Sequence, residues 1–191
     1  MWLKTMAAAA FLVIGSMASA TVIDFESYAD GTDITGVDLG GITLTRHGEL
    51  VKVTSSVPGG GSTRAIWGDP FTGKSFRGDF TGTVTSFSVD MGDFGVSDPD
   101  DLFVMAYSAT DVLLDSVFFA YPEAGNYLET LSVAAAGIAY VIFGSTGPDF
   151  TNSIFADNLT FEPAAIPLPA GGLLLISALL GLGVARRRRG A

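Results

Sequence analysis

The 191-residue sequence contains no cysteine and a single histidine, His47. Without cysteine, an exported chain has no disulfide to staple it, so the core must hold the fold, with or without a bound ion. Thiol catalysis, thiolate metal centres and lipid attachment through an N-terminal cysteine are excluded on the same count. One histidine rules out zinc sites built on several imidazoles. A Ser-His-Asp triad would have to use His47, yet neither a nucleophile elbow nor any other local catalytic signature accompanies it. His47 stands before Gly48 just past a short strand-like run, the setting of a solvated turn histidine.

Positive charge is also scarce. All 20 acidic residues lie between Asp24 and Glu162, where they meet only Arg46, Lys52, Arg64, Lys74 and Arg77, a net charge of −15 against −10 for the whole chain. Such a surface repels phosphate backbones and argues against nucleic acid as a partner. It keeps an exported domain soluble, or draws cations. Helical periodicity is missing outside the two ends, and no internal repeat is visible.

The ends carry most of what the composition does have. Lys4, the apolar run Met6 to Ile14 and the triplet Ala18-Ser19-Ala20 are the three parts of a secretory signal peptide, with cleavage expected after Ala20. At the other end the apolar run Gly171 to Ala185 precedes Arg186, Arg187, Arg188 and Arg189. That run is short against the about 20 residues of a full membrane span. Arginines stay on the cytoplasmic side, so this tail lies inside while the middle domain lies outside.

The C-terminal order is Ile166-Pro167-Leu168-Pro169-Ala170, then the Gly- and Leu-rich run, then four arginines. It resembles the PEP-CTERM class of bacterial sorting signals, and most closely the VPLPA-CTERM variant, with Ile166 in place of valine. The two prolines keep the segment extended before the membrane. The resemblance implies a membrane-anchored precursor of a Gram-negative bacterium. It further implies processing by an exosortase-type enzyme, release to the cell surface or beyond, and frequent association with exported polysaccharide. A plain single-pass anchor with a Pro-rich juncture is the competing reading.

Between Thr21 and Glu162 short runs rich in Val, Ile, Phe, Thr and Tyr alternate with Gly, Asp, Ser and Pro clusters, the pattern of strands and turns. Strands are predicted at Val22–Glu26, Ile42–Arg46, Leu50–Thr54, Arg64–Trp67, Thr83–Asp90, Leu102–Tyr107, Val112–Phe119, Tyr127–Val133, Ile138–Gly144 and Ser153–Phe161. In Thr83–Asp90, Phe87 and Val89 share one face and Ser86, Ser88 and Asp90 the other, so one face is buried. Val112–Phe119 and Ile138–Phe143 are apolar on both faces and read as central strands. Leu102 to Leu114 reads as a hairpin around Ser108-Ala109-Thr110-Asp111, with Asp111 where a turn glycine is usual. The expected fold is an all-β, jelly-roll-like antiparallel β-sandwich over residues 21–163. A signal helix (1–20) and a sorting and transmembrane segment (164–191) flank it.

Ile23-Asp24-Phe25-Glu26 near the start and Ala156-Asp157-Asn158-Leu159-Thr160-Phe161 near the end resemble features of surface and carbohydrate-binding sandwich families. In those families the first and last strands lie side by side and a carboxylate from each holds a structural calcium. The resemblance implies Glu26 and Asp157 as ligands, helped by Asp24 or a turn carbonyl near Asp33. Calcium takes six to eight oxygens in irregular geometry. Acidic residues at strand ends also simply face water, and both readings stand at this point. A second acidic group, Asp90, Asp93, Asp98, Asp100 and Asp101, lacks EF-hand spacing and is expected to form a turn.

Catalysis is not expected: two carboxylates suffice for a glycosidase, but nothing marks a pair. For a glycan binder, exposed aromatic rings matter, and Trp67, at the loop entry Trp67-Gly68-Asp69-Pro70, is the leading candidate. Tyr121 and Tyr127 follow, then Tyr28, and each of the four reads first as core or edge packing. Three functions follow from the sequence. The first is a non-catalytic exported surface or matrix protein. The second is a carbohydrate-binding module with a structural calcium, and the third a secreted glycoside hydrolase.

Overall fold

The computed structural model describes residues 19–57, 64–69, 75–93, 101–120, 128–146 and 154–165, and Ala18–Ala164 form one compact unit. The signal run, the sorting motif Ile166–Ala170, the tail Arg186–Arg189, Asp98, Asp100, Tyr121 and Tyr127 lie outside the described residues. Nine strands follow one another: β1 Thr21–Ile23, β2 Ile42–Arg46, β3 Leu50–Thr54, β4 Ala65–Asp69, β5 Phe76–Asp93, β6 Asp101–Tyr107, β7 Leu113–Phe119, β8 Glu129–Thr146 and β9 Ile154–Pro163. All pairings among them are antiparallel. No helix occurs among the described residues, so the chain is all-β, as its alternation of β-branched residues with turn residues predicts.

The strand order is β3-β4-β9-β5-β8-β6-β7, with β1 on β9 and β2 on β5. The long strands β5 and β8 organise it. Along one edge β5 pairs with β2 over Phe76–Phe80 and with β9 over Val84–Asp93. The sheet therefore forks into a front leaf (β2-β5-β8-β6-β7) and a back leaf (β3-β4-β9-β5-β8).

Two irregularities make the fork. From the pair Asp79↔Tyr140 to Val84↔Ile138, β5 advances further than β8; from Val84↔Ile138 to Ser86↔Ala134 the excess is on β8. Extra residues in one strand bend it and raise its twist. Gly137, at φ +82°, sits in the second bulge, a backbone position that side chains resist. The small-residue stretch Ala134–Gly137 looks like a break between two predicted strands. It is instead the bulge that lets one 18-residue strand turn the corner.

The inner faces of both leaves close on one core. Ile42, Leu44, Phe76, Val104, Val141 and Phe143 come from the front leaf, and Val53, Ile66, Phe87, Met91, Leu159 and Phe161 from the back. Phe76 and Phe143 stack with centroids 5.3 Å apart, and Phe87 lies 5.8 Å from Phe143. These rings tie the two leaves together, each burying well over 100 Å².

Three expectations are corrected. Val112–Phe119 is not a central strand: β7 is an edge of the sheet, with Leu113 and Phe118 exposed. Its apolar residues on both faces reflect one face on the core and another on the surface. Asp90 is not in a turn, because β5 continues to Asp93. Its carboxylate accepts the Thr130 hydroxyl and the Asn158 amide (2.9 Å). From Glu129 on, the predicted runs Tyr127–Val133 and Ile138–Gly144 are one strand.

The β6–β7 hairpin closes as its sequence suggests. Ser108 and Val112 are joined by a backbone hydrogen bond of 2.9 Å. The Ser108 hydroxyl accepts the amides of Thr110 and Val112, and Asp111 adopts φ +60° where glycine is usual.

Candidate functional site

Residues paired in register point to the same side of a sheet. On the outer face of the front leaf this produces two adjoining rows. The first runs Thr45, Arg77, Ile142, Met105, Ser116 across β2, β5, β8, β6 and β7. The second runs Thr43, Asp79, Tyr140, Tyr107, Leu113 across the same strands. Beyond the first row, Phe103 and Phe118 pair with centroids 6.1 Å apart. From β5 to β7 this face extends three strand spacings, about 14 Å.

The rows hold a connected group. Tyr107 and Tyr140 stack nearly parallel, 8° apart, with centroids at 4.9 Å, and Tyr140 is buried beneath this face. The Arg77 guanidinium carbon sits 3.7 Å from the Tyr140 centroid, a cation–π contact worth about 0.5–1 kcal/mol at an exposed site. Asp79 takes both Nε and Nη2 of Arg77, at 2.6–3.0 Å. That fork, chiefly its hydrogen bonding, raises the Arg77 pKa above its ordinary value. The Tyr140 hydroxyl donates to Asp111 Oδ1 at 2.9 Å. Desolvation first, then the Asp111 carboxylate, raises the tyrosine's pKa, so the phenol stays neutral and its donor stays fixed.

Each side chain is placed by simple alternation. Arg77 and Asp79 flank Gly78, whose missing side chain leaves room inside for Ile42: a Cβ there would stand 2.7 Å from Ile42 Cδ1. Beside the group an open cavity of about 350 Å³ is lined by Thr45, His47, Ser75, Phe76, Arg77 and Ile142. His47 is exposed in the turn after β2, the place its neighbour Gly48 suggests. Chemically, this face offers aromatic surface at half-buried Tyr107, one partly exposed guanidinium, carboxylate acceptors and hydroxyls.

The residues singled out from sequence lie elsewhere. Trp67 is half-buried on β4 of the back leaf, opposite Lys52. Tyr28 is half-buried, 6.5 Å from Phe25, and its carbonyl accepts Arg64 Nε. The expected neighbours β1 and β9 do pair, from Thr21↔Phe161 to Ile23↔Leu159. Asp24 is exposed and caps the amide of Glu26. Glu26 reaches across to accept the amide of Arg64, just before β4. Asp157 is 1% exposed on β9, where Ala156 pairs with Ile66 of β4, so Glu26 and Asp157 both lie near the start of β4. Asp33 is exposed and held by Thr35.

Among the described residues no three acidic or histidine side chains converge on a metal-sized position. A calcium held by Glu26 and Asp157 would therefore take most of its six to eight oxygens from backbone carbonyls and water.

The group on the front leaf was not singled out from sequence. Tyr107 and Tyr140 sit inside apolar runs and read as core. The signal that could have found them is period-2 spacing. Arg77 and Asp79 are two apart, and Tyr140 and Ile142 alternate with core residues Val141 and Phe143, although Tyr140 is itself buried.

No protein-family model and no curated protein matches the chain. Among solved structures, it is similar to an arabinose-bound α-L-arabinofuranosidase (TM-score 0.49, 10% identity, 78% of this chain and 27% of that one). A protein of the DUF4465 family from Bacteroides caccae gives TM-score 0.48 and 10% identity over 76% of this chain and 100% of that one. A family 29 carbohydrate-binding module gives TM-score 0.44 and 13% identity over 80% and 99%. The chain thus spans about a quarter of the arabinofuranosidase. All of these scores lie below 0.5.

Proposed function

We propose that residues 21–163 form a non-catalytic glycan-binding module of an exported surface protein. The carrying observation is the group Arg77, Asp79, Tyr107 and Tyr140 on the outer face of the front leaf. Sugar rings present flat C–H faces that pack on aromatic rings, and hydroxyls that both donate and accept. Half-buried Tyr107, backed by the buried Tyr140, offers aromatic surface beside the Arg77 donor and the carboxylate acceptors, which answers both needs. The carboxylates of this face already accept hydrogen bonds from Arg77 and Tyr140, an arrangement suited to holding a ligand rather than transferring protons.

Export and sorting through Ile166–Ala170 by an exosortase-type enzyme belong to the same proposal. Their support is the sequence of the two ends. So does a structural calcium on Glu26 and Asp157, supported by the burial of Asp157 and by both residues lying near the start of β4. EDTA is then expected to lower the melting temperature of the protein, and an unchanged value in EDTA removes the calcium.

The functional test is isothermal titration of the full chain against a panel of oligosaccharides, repeated with Tyr107→Ala. Binding that weakens about tenfold or more, about 1.4 kcal/mol, supports the reading. Binding that the substitution leaves unchanged assigns the sugar to another surface. Binding to none of the panel removes the reading.

A further inference from the structure

Resting on the glycan-binding reading, we propose that this site selects neutral sugars through a vicinal diol and discriminates against uronate- and sulfate-bearing ones. Arg77 would be the natural anion anchor on this face, but Asp79 already occupies its Nε–Nη2 edge in a fork of 2.6–3.0 Å. A ligand carboxylate brought to the guanidinium also meets the Asp79 charge, which offsets part of the attraction. The field of a domain carrying −15 adds to that repulsion.

Hydrogen-bond inventory points the same way. A carboxylate or sulfate oxygen only accepts, which leaves the neighbouring Asp79 facing a second acceptor. Each hydroxyl of a vicinal diol donates and accepts. One can accept from the partly exposed Arg77 guanidinium while its neighbour donates to Asp79, whose carboxylate has acceptor capacity beyond the fork. Thr45 and Thr43, directly across from Arg77 and Asp79 on β2, extend the hydroxyl-matching edge.

The test titrates the full chain with neutral hexose and pentose oligosaccharides and with oligogalacturonate of equal length, then repeats both on Asp79→Asn. The expected result is neutral binding at least tenfold tighter than oligogalacturonate. Neutral affinity should change less than about twofold between roughly 0.05 and 0.5 M salt, since no net ligand charge is screened. Asp79→Asn frees the guanidinium charge, so it should weaken neutral binding and strengthen oligogalacturonate binding. A merely structural Asp79 would weaken both. Equal or tighter binding of oligogalacturonate by the unaltered chain overturns the selectivity while leaving the glycan site in place. Loss of both ligands in Asp79→Asn also overturns it. Binding of neither class by the unaltered chain removes the glycan reading itself.

Discussion

Two arginines on neighbouring strands, one on each face of the front leaf, show how one chemistry serves two ends. Arg46 of β2 pairs in register with Phe76 of β5; one residue along, Thr45 pairs with Arg77. Strand alternation sends Arg46 inward and Arg77 outward. Both lie over an aromatic ring, Arg46 at 5.2 Å from Phe76 and Arg77 at 3.7 Å from Tyr140. Both face a carboxylate, Glu49 at 3.4 Å and Asp79 at 2.6 Å.

Their exposure separates them. The Arg46 side chain is fully buried, whereas that of Arg77 is 42% exposed. Burial pushes the Arg46 pKa down despite Glu49, while the fork to Asp79 pushes that of Arg77 up. The inner arginine is a structural commitment. Water competes for the outer one, so it contributes little to stability and remains available to a ligand.

Arg46→Ala carries the largest expected effect. It leaves Glu49 in the interior without its arginine, and loss of roughly 3–5 kcal/mol is expected, read as a shift of the urea midpoint. Gly68→Ala approaches the same contact from β4. The added methyl would stand 0.8 Å from Arg46 Nη1, and that buried side chain has no solvent to retreat into. A loss of about 1–3 kcal/mol is expected from this overpacking. A substitution tolerated without cost at either position would mean that Arg46 is not seated as described.

Arg77→Ala is expected to alter stability by no more than about 1 kcal/mol, the range of exposed ion pairs, yet to weaken glycan binding about tenfold. Equal losses of stability in Arg46→Ala and Arg77→Ala would erase the contrast.

The smallest expected effect concerns pH. Thr35, through its hydroxyl and amide, and then Lys52 hold the Asp33 carboxyl below its ordinary value. A group whose folded pKa is depressed stabilises the fold above its unfolded value, about 3.9, and loses that contribution as pH falls through the folded one. Asp33→Asn should therefore lower stability slightly near neutrality, with the difference from the unaltered chain shrinking as pH falls below about 4.

The framework of the fold was legible because burial imposes period-2 alternation. Ile42–Arg46 and Leu50–Thr54 have the boundaries that alternation predicts, and the Ser108–Asp111 hairpin follows from its turn residues. Long-range context was not legible. Whether β7 is central or an edge depends on which strand lies beyond it, and its own residues are apolar in both cases. The Ala134–Gly137 bulge is indistinguishable from a break until its partner strand is known. Arg77, Asp79, Tyr107 and Tyr140 come from three strands and meet only through register. Local reading instead favoured Trp67, a loop-entry aromatic that the fold places on the other leaf.

That contrast between leaves provides the most direct test. Two-dimensional amide and side-chain NMR of the full chain would be followed while the tightest-binding neutral oligosaccharide is added. Shifts concentrated on Arg77, Met105, Tyr107, Tyr140 and Ile142, with the Trp67 indole and Lys52 unmoved, are the expected result. Shifts centred on Trp67 and β3–β4, with the front leaf silent, would contradict the assignment of the binding face.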